Sequence, residues 1–172
     1  NYIKMKKSIA VFMLFLIASC AQQPSDACKE METKKLNLER DLTMYSTVWE
    51  TMFSTRNIDL INADNFDTEA TVVTATENIT GIEAFKAYYN NYLIGFSDAE
   101  MIILSSFGEG DNLVKHWQFK GTHDGELFGI PASNNKVDIS GVTLVTMKNG
   151  KILKEQDFFD NLSFLTQLGV IK

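Results

Sequence analysis

Two histidines and a pair of aspartates near the end of the chain have the side chains that proton transfer requires. His123 ends an apolar segment that starts at Leu113, and His116 lies inside that segment. Asp157 and Asp160 lie at the end of the last apolar segment. A carboxylate and an imidazole held together can remove a proton from carbon and return it. These residues are therefore candidates for general acid/base chemistry.

The alternation of side chains indicates which candidates face inward. Along the segment that ends in His123, one parity is mostly apolar, so we expect it to face a hydrophobic interior: Leu113, Trp117, Phe119 and His123. In the last segment both parities are partly apolar. One carries Ile152, Gln156, Phe158 and Asp160, and the other carries Leu153, Asp157 and Phe159. Alternation alone does not choose between these two faces.

The surrounding patterns predict an α+β fold, with helices first and strands after them. Apolar residues at three- and four-residue spacing predict a helix over 30–55, including Leu36, Leu42 and Trp49. After this helix, the patterns predict a turn or short helix over 59–64, a strand over 71–76 and a second helix over 82–94. Thr80 is the predicted N-cap of the second helix. Four strands are predicted over 99–108, 113–123, 136–148 and 151–160, and a last helix over 163–168. Asn149-Gly150 predicts a hairpin between the last two strands.

The first residues resemble a bacterial lipoprotein signal. Lys6 and Lys7 precede an apolar run that is too short to span a bilayer, and Ile17-Ala18-Ser19-Cys20 matches the lipobox. We therefore interpret 1–19 as a signal peptide, with residues 1–4 upstream of the true start at Met5. The expected anchor is a lipid on Cys20. Gln22 stands where an inner-membrane retention signal often has Asp, which favours the outer membrane or the cell surface.

Residues 20–32 then form a polar tether, and residues 33–172 form one domain that is large enough for a single core. Removing 1–19 takes away three lysines and no acids, so 13 basic groups remain against 22 acidic ones, a balance of −9. Such a surface repels phosphate backbones, which argues against nucleic-acid binding. Cys28 is the only other cysteine, so no disulfide framework is predicted.

Four features in order carry a resemblance to a known family. They are Gly81 opening an aromatic helix, Trp117 leading into Gly121-Thr122-His123, Gly150-Lys151-Ile152 after the hairpin, and Asp160 before Gln167-Leu168-Gly169. Together they resemble the SnoaL-like polyketide (ester) cyclases of the nuclear transport factor 2-like superfamily. The resemblance implies a cone in which a curved, antiparallel or mixed sheet wraps the N-terminal helices.

The resemblance also implies a pocket for a small, largely apolar molecule. Asp160 would be the general acid/base, with His123 as its partner, and Asp157 and His116 would be secondary candidates. The side chains expected to line the ligand are Trp49, Tyr88, Tyr89, His116, Trp117, Phe119, Gln156 and Phe158. The cyclisation chemistry of this family needs no metal or organic cofactor, and the spacing of the histidines and cysteines does not predict a metal site.

Several alternatives remain open. Asp160 could instead cap the final helix, and His123 could be a hydrogen-bonded structural residue. The domain could bind a ligand without catalysis, or act as a homodimer through its sheet. Limonene-epoxide hydrolases share the cone fold but use an Asp-Arg-Asp arrangement. The only arginines here, Arg40 and Arg56, lie on or just after the first predicted helix, which excludes that mechanism.

Overall fold

The computed structural model describes residues 25–172. Residues 34–172 form one compact unit. The predicted signal peptide and the lipidation site at Cys20 lie outside the described residues. Within residues 25–172, no helix is both long and apolar enough to cross a membrane.

Three α-helices and six strands make up the described chain. The helices are α1 (Asp26–Thr55), α2 (Ile82–Gly95) and α3 (Asn161–Leu168), and a 3-10 turn covers Ile58–Leu60. The strands are β1 (Phe66–Val73), β2 (Asn78–Thr80), β3 (Glu100–Glu109), β4 (Asn112–Thr122), β5 (Lys136–Lys148) and β6 (Lys151–Phe159).

Helix α1 begins at Asp26, earlier than the sequence predicted. The Ser25 hydroxyl accepts the backbone N–H of Cys28 at 3.3 Å, which is the geometry of an N-cap and explains the early start. The buried stripe further along α1 follows helical spacing as predicted: Tyr45, Val48, Trp49, Met52 and Phe53. Leu36, at the predicted start of that stripe, is exposed.

The strands form one mixed, curved and unclosed sheet in the order β2-β1-β6-β5-β4-β3. Neighbouring strands are antiparallel except for β1 and β6, which run parallel. The α+β fold is therefore confirmed. Strand β2 was not among the predicted strands, and Thr80 does not cap α2. Gly81 is the N-cap, and the Thr80 hydroxyl lies 3.0 Å from that of Thr71 across the β1–β2 pair.

Asn149 and Gly150 form the predicted hairpin between β5 and β6. Their φ angles are 53° and 78°, the left-handed values that a tight two-residue turn requires. The hairpin fixes which residues of β5 and β6 face one another.

A β-bulge near the start of β6 changes the side on which its residues lie. Thr146 of β5 pairs with Lys154, whereas Met147 pairs with Ile152, so Leu153 is an extra residue on β6. An extra residue shifts the alternation by one position. Consequently Ile152 and Glu155 are both buried although their sequence parities differ.

Aromatic side chains fill the space between the helices and the sheet. The Trp49 ring of α1 lies 4.5 Å from the Tyr89 ring of α2, measured between centroids. Phe53 of α1 lies 5.9 Å from Phe119 of β4. These edge-on contacts join both helices to the sheet and leave only a narrow space among the rings.

Candidate functional site

A small cavity lies among the aromatic rings of the core. The space open to the centre of a water-sized molecule is about 30 Å³, which accommodates roughly two waters. Its lining combines seven aromatic residues, two aliphatic residues, one lysine and one aspartate: Trp49, Phe53, Tyr89, Tyr92, Met101, Lys115, Trp117, Phe119, Ile139, Asp157 and Phe159. The cavity is apolar except where Lys115 and Asp157 enter it.

Gly141 on β5 makes room for the first polar contact of this cavity. A Cβ at Gly141 would lie 2.6 Å from the Trp117 ring and 2.6 Å from the backbone oxygen of Phe158. Without that carbon, the Trp117 indole lies against β5 and its Nε1 donates to the Thr143 hydroxyl at 2.9 Å. The Thr143 hydroxyl in turn donates to a carboxylate oxygen of Asp157.

Tyr89 joins the two acidic residues of β6. Its hydroxyl lies 2.9 Å from Oε2 of Glu155 and 3.1 Å from Oδ2 of Asp157. A phenol has one hydrogen, so it donates to one carboxylate at a time, and the other contact is a hydrogen bond only when that carboxyl is protonated. Trp49 Nε1 donates to Oε1 of Glu155 at 2.9 Å. The two acids are thus linked through one shared hydroxyl.

Glu155 is fully buried and titrates near neutral pH. The pKa of its carboxyl is raised from 4.5 to about 7, chiefly by burial and also by the charge of Asp157, against the opposing charge of Lys115. Below neutral pH the Glu155 carboxyl holds a proton, which it can donate to the Tyr89 oxygen while Tyr89 donates to Asp157. The geometry therefore provides a short proton path from Glu155 to the cavity wall.

Lys115 of β4 brings a buried amine to the same cavity. Its Nζ lies 4.5 Å from the centre of the Trp49 ring and 5.2 Å from that of Tyr45, which is within the range of cation–π attraction. Burial lowers the pKa of Lys115, while the charges of Glu155 and Asp157 act to raise it. The Tyr45 hydroxyl is buried without a hydrogen bond of ordinary geometry to any described residue.

His123 lies outside the cavity lining, in a structural setting. Its ring is completely buried, and Nδ1 lies 3.1 Å from the Ser133 hydroxyl and accepts the Ser133 N–H at 3.3 Å. Its backbone also binds Ser133, Asn134 and Asn135. These contacts tie the end of β4 to the loop before β5, so His123 holds that loop in place.

Asp160 does not face the cavity. It is exposed and its side chain accepts the Ser163 N–H at 3.0 Å, so it caps α3, the alternative that the sequence left open. The structure thus does not bring His123 and Asp160 into one pocket. The expected inward face of β6 was wrong because the bulge at Leu153 turns Glu155, Asp157 and Phe159 inward instead.

The predicted lining residues divide between three places. Four of them line the cavity: Trp49, Tyr89, Trp117 and Phe119. Three line a groove at the ends of β1 and β6: Tyr88, Gln156 and Phe158. The space in this groove that is open to the centre of a water-sized molecule is about 340 Å³. Asp157 and Phe159 line both the groove and the cavity. His116 points to the opposite side of β4 from Lys115 and lies beside Val142 of β5.

The sequence prediction missed Lys115, Glu155 and Thr143. Lys115 shares the parity of Leu113, Trp117 and Phe119, and a lysine on such an apolar face is rarely fully buried without a role. That signal was available before the structure. The position of Glu155 depends on the bulge, which no residue pattern in β6 indicates.

The profile of the SnoaL-like polyketide cyclases matches residues 40–168. The chain belongs to this family. Solved structures share the fold. A SnoaL-like polyketide cyclase homologue from Jannaschia sp. CCS1 is 22% identical with a TM-score of 0.71, covering 78% of this chain and 94% of its own. TsrD from Streptomyces laurentii is 20% identical with a TM-score of 0.68, covering 76% and 96%.

No match was found among curated proteins. Identities near 20% establish the nuclear transport factor 2-like fold but not a shared substrate. In residues 25–172, no three His, Cys, Asp or Glu side chains are grouped to hold a metal ion.

Proposed function

We propose that this SnoaL-like domain binds a small, largely apolar carbonyl compound and uses Asp157 as its general acid/base. The observation that carries this proposal is the set of linked polar groups Glu155, Tyr89, Asp157 and Thr143, which reaches an otherwise apolar cavity through Asp157. Asp157 takes the role that the sequence had given to Asp160.

The chemistry follows from the hydrogen bonds of Asp157. Thr143 and Tyr89 hold its carboxylate in one orientation at the cavity wall. A carboxylate in that position can remove a proton from carbon beside a carbonyl, and the Glu155 proton can then return through Tyr89. Cyclase- and isomerase-like reactions both consist of such proton transfers.

The cavity and the groove, which share Asp157 and Phe159 in their lining, limit the size of the ligand. The cavity admits only a few atoms, whereas the groove at the ends of β1 and β6 is about ten times larger. We propose that the reacting carbonyl end enters the cavity past Asp157 and Phe159, while any larger remainder lies in the groove. A narrow cavity also suits the alternative that the sequence left open, a domain that binds a ligand without turning it over.

The Asp157→Asn variant tests this function. Removing the base is expected to slow deuterium exchange at the carbons beside the carbonyl of acetone by about 100-fold or more, measured by NMR in heavy water. Asp160→Asn is the matched control, because Asn also caps helices and the α3 cap should persist.

Two results would contradict the proposal. One is an exchange rate that falls in Asp160→Asn and not in Asp157→Asn. The other is an exchange rate in the wild-type protein that equals that of a boiled sample. Ligand binding without exchange would instead support the non-catalytic alternative.

We further propose that the domain is held at the bacterial cell envelope by lipid on Cys20. The support is the lipobox-like run that ends at Cys20 after a short apolar segment. The Cys20→Ser variant is expected to lose all incorporation of a palmitate analogue in cells. Cys28→Ser is the control and should be labelled like the wild type. Equal labelling of the Cys20→Ser variant would disprove the anchor.

We also propose that two copies pair through the outer face of the sheet. Six exposed apolar side chains on β3, β5 and β6 support this pairing: Ile102, Leu104, Phe107, Val142, Leu144 and Phe158. Exposed apolar side chains grouped on one face of a sheet are typical of an interaction surface.

A further inference from the structure

Among the described residues, the contacts of the Lys115 amine are with the Trp49 and Tyr45 rings. Glu155 and Asp157 act on the amine as charges, and the two Glu155 oxygens accept hydrogen bonds from Trp49 and Tyr89. Nζ of Lys115 makes neither a hydrogen bond nor an ion pair within residues 25–172, although only 3% of the residue is exposed. Its surroundings on one side are the Trp49 and Tyr45 rings, and on the other the cavity.

The Lys115 amine lines the cavity, so a molecule that enters the cavity meets it. An anionic ligand is a poor candidate, because Asp157 lines the same cavity and would repel it. A neutral ligand avoids this repulsion. Among neutral ligands, a carbonyl compound is one that an unprotonated amine can attack at carbon.

We propose that Lys115 forms an imine with a small aldehyde or ketone that enters the cavity. This inference rests on the proposed function and names the class of its substrate. It assigns covalent attachment to Lys115 and proton transfer to Asp157.

The bonds and protons balance without any further reactant. The nitrogen lone pair of neutral Lys115 attacks the carbonyl carbon, and the π electrons move to oxygen. One of the two nitrogen protons passes to that oxygen, which gives a neutral carbinolamine. Loss of that oxygen as water, with a proton from the Glu155–Tyr89–Asp157 path, forms the C=N bond. The product is an iminium cation with the carbon beside it made acidic, and Asp157 can remove the proton there.

The environment of Nζ suits both states of this reaction. Burial lowers the pKa of Lys115, which increases the neutral fraction that attacks. The iminium formed afterwards keeps its positive charge where the ammonium charge was. It would lie against the face of Trp49, with Asp157 and Glu155 as nearby negative groups.

The size of the cavity restricts the carbonyl compound. About 30 Å³ leaves room for the carbonyl and one or two flanking carbons. A longer compound would place its remainder in the groove that shares Asp157 and Phe159 with the cavity. A ketone or aldehyde group near the end of a chain fits this description best.

Borohydride trapping tests the imine directly. The full chain is incubated near neutral pH with acetone or with 2,4-pentanedione, reduced with sodium borohydride, and mapped by peptide mass spectrometry. Reduction turns the imine into a stable secondary amine. We expect the label on Lys115 to exceed that on exposed Lys154 by roughly tenfold or more, since an ordinary lysine is almost wholly protonated at pH 7.

Two variants and one control sharpen the test. Lys115→Met keeps the length of the side chain and removes the amine, and Lys115→Arg keeps the charge without a nucleophile. Both are expected to lose the specific label, and Lys154→Met is expected to keep it. If either Lys115 variant fails to fold, the wild-type peptide map alone decides the question. A label spread evenly over exposed lysines, with none in excess on Lys115, would overturn the inference.

The imine and the proposed function can fail separately. If Lys115→Met still exchanges deuterium into acetone at the wild-type rate, the imine is wrong and the acid/base role of Asp157 stands. If Lys115 is labelled but Asp157→Asn exchanges deuterium normally, the imine stands and the role of Asp157 is wrong.

Discussion

At the scale of single residues, Glu155 links the chemistry of the site to the stability of the fold. The pKa of its carboxyl is raised to about 7 by burial, so the folded protein keeps this group protonated at pH values where an unfolded chain has lost the proton. A raised pKa contributes stability that is fully present below the unfolded value of 4.5 and is lost as pH rises through about 7.

We therefore predict that Glu155→Gln removes a pH-dependent loss of stability. Relative to the variant, the wild-type protein should lose roughly 3 kcal/mol of unfolding free energy between about pH 4.5 and pH 7, at about 1.4 kcal/mol per pH unit. Urea denaturation of both proteins at about pH 5 and about pH 8 measures this difference. Parallel pH dependences for the two proteins would show that Glu155 is not the titrating group.

Residue identities alone predicted part of this site. The alternation along β4 correctly placed Trp117 and Phe119 at the interior, because β4 pairs with β5 in unbroken register. The same alternation should have flagged Lys115. His123 was correctly expected to be buried, but burial did not distinguish a cavity residue from one that binds a loop through Ser133.

At the scale of elements, the bulge in strand β6 explains why Asp157 lines the cavity. Before the bulge at Leu153, Ile152 points inward, and after it the inward residues are Glu155 and Asp157. The bulge arises from how β6 fits between β1 and β5, since both pairings shift register at that point. The residue pattern of β6 does not show how this strand pairs with β1 and β5, so the register could not be predicted from the sequence.

Other elements were predictable because their signals are local. The Asn149-Gly150 hairpin was confirmed, as were α2 and the extent of β5, which covers Lys136–Lys148 as predicted. Strand β2 was missed because it has three residues and exists only by pairing with β1. Its partner lies elsewhere in the chain, which a local pattern does not report.

At the scale of the whole molecule, the exposed apolar face of the sheet predicts self-association. Leu144→Lys places a charge on the strand that carries Val142 and across β4 from Phe107, and burying that charge in an interface would be costly. We expect the wild-type protein to be a dimer and the variant to be a monomer at the same concentration, measured by size-exclusion chromatography with light scattering.

Leu162→Lys is the matched control for this prediction. Leu162 is also exposed, but it lies on α3 rather than on the sheet, so its substitution should leave the dimer intact. A wild-type protein that is monomeric, or a Leu144→Lys variant that remains dimeric, would exclude pairing through this face.

The parallel pairing of β1 with β6 also has a consequence for biosynthesis. Strand β1 ends at Val73, whereas its neighbour β6 begins at Lys151, so the pair joins early and late parts of the chain. Such distant pairing slows folding, since a long loop must close before any contact forms. As translation proceeds, Lys115 and Trp117 emerge well before Glu155 and Asp157. A nascent chain stalled before β6 would therefore expose aromatic surface that chaperones bind.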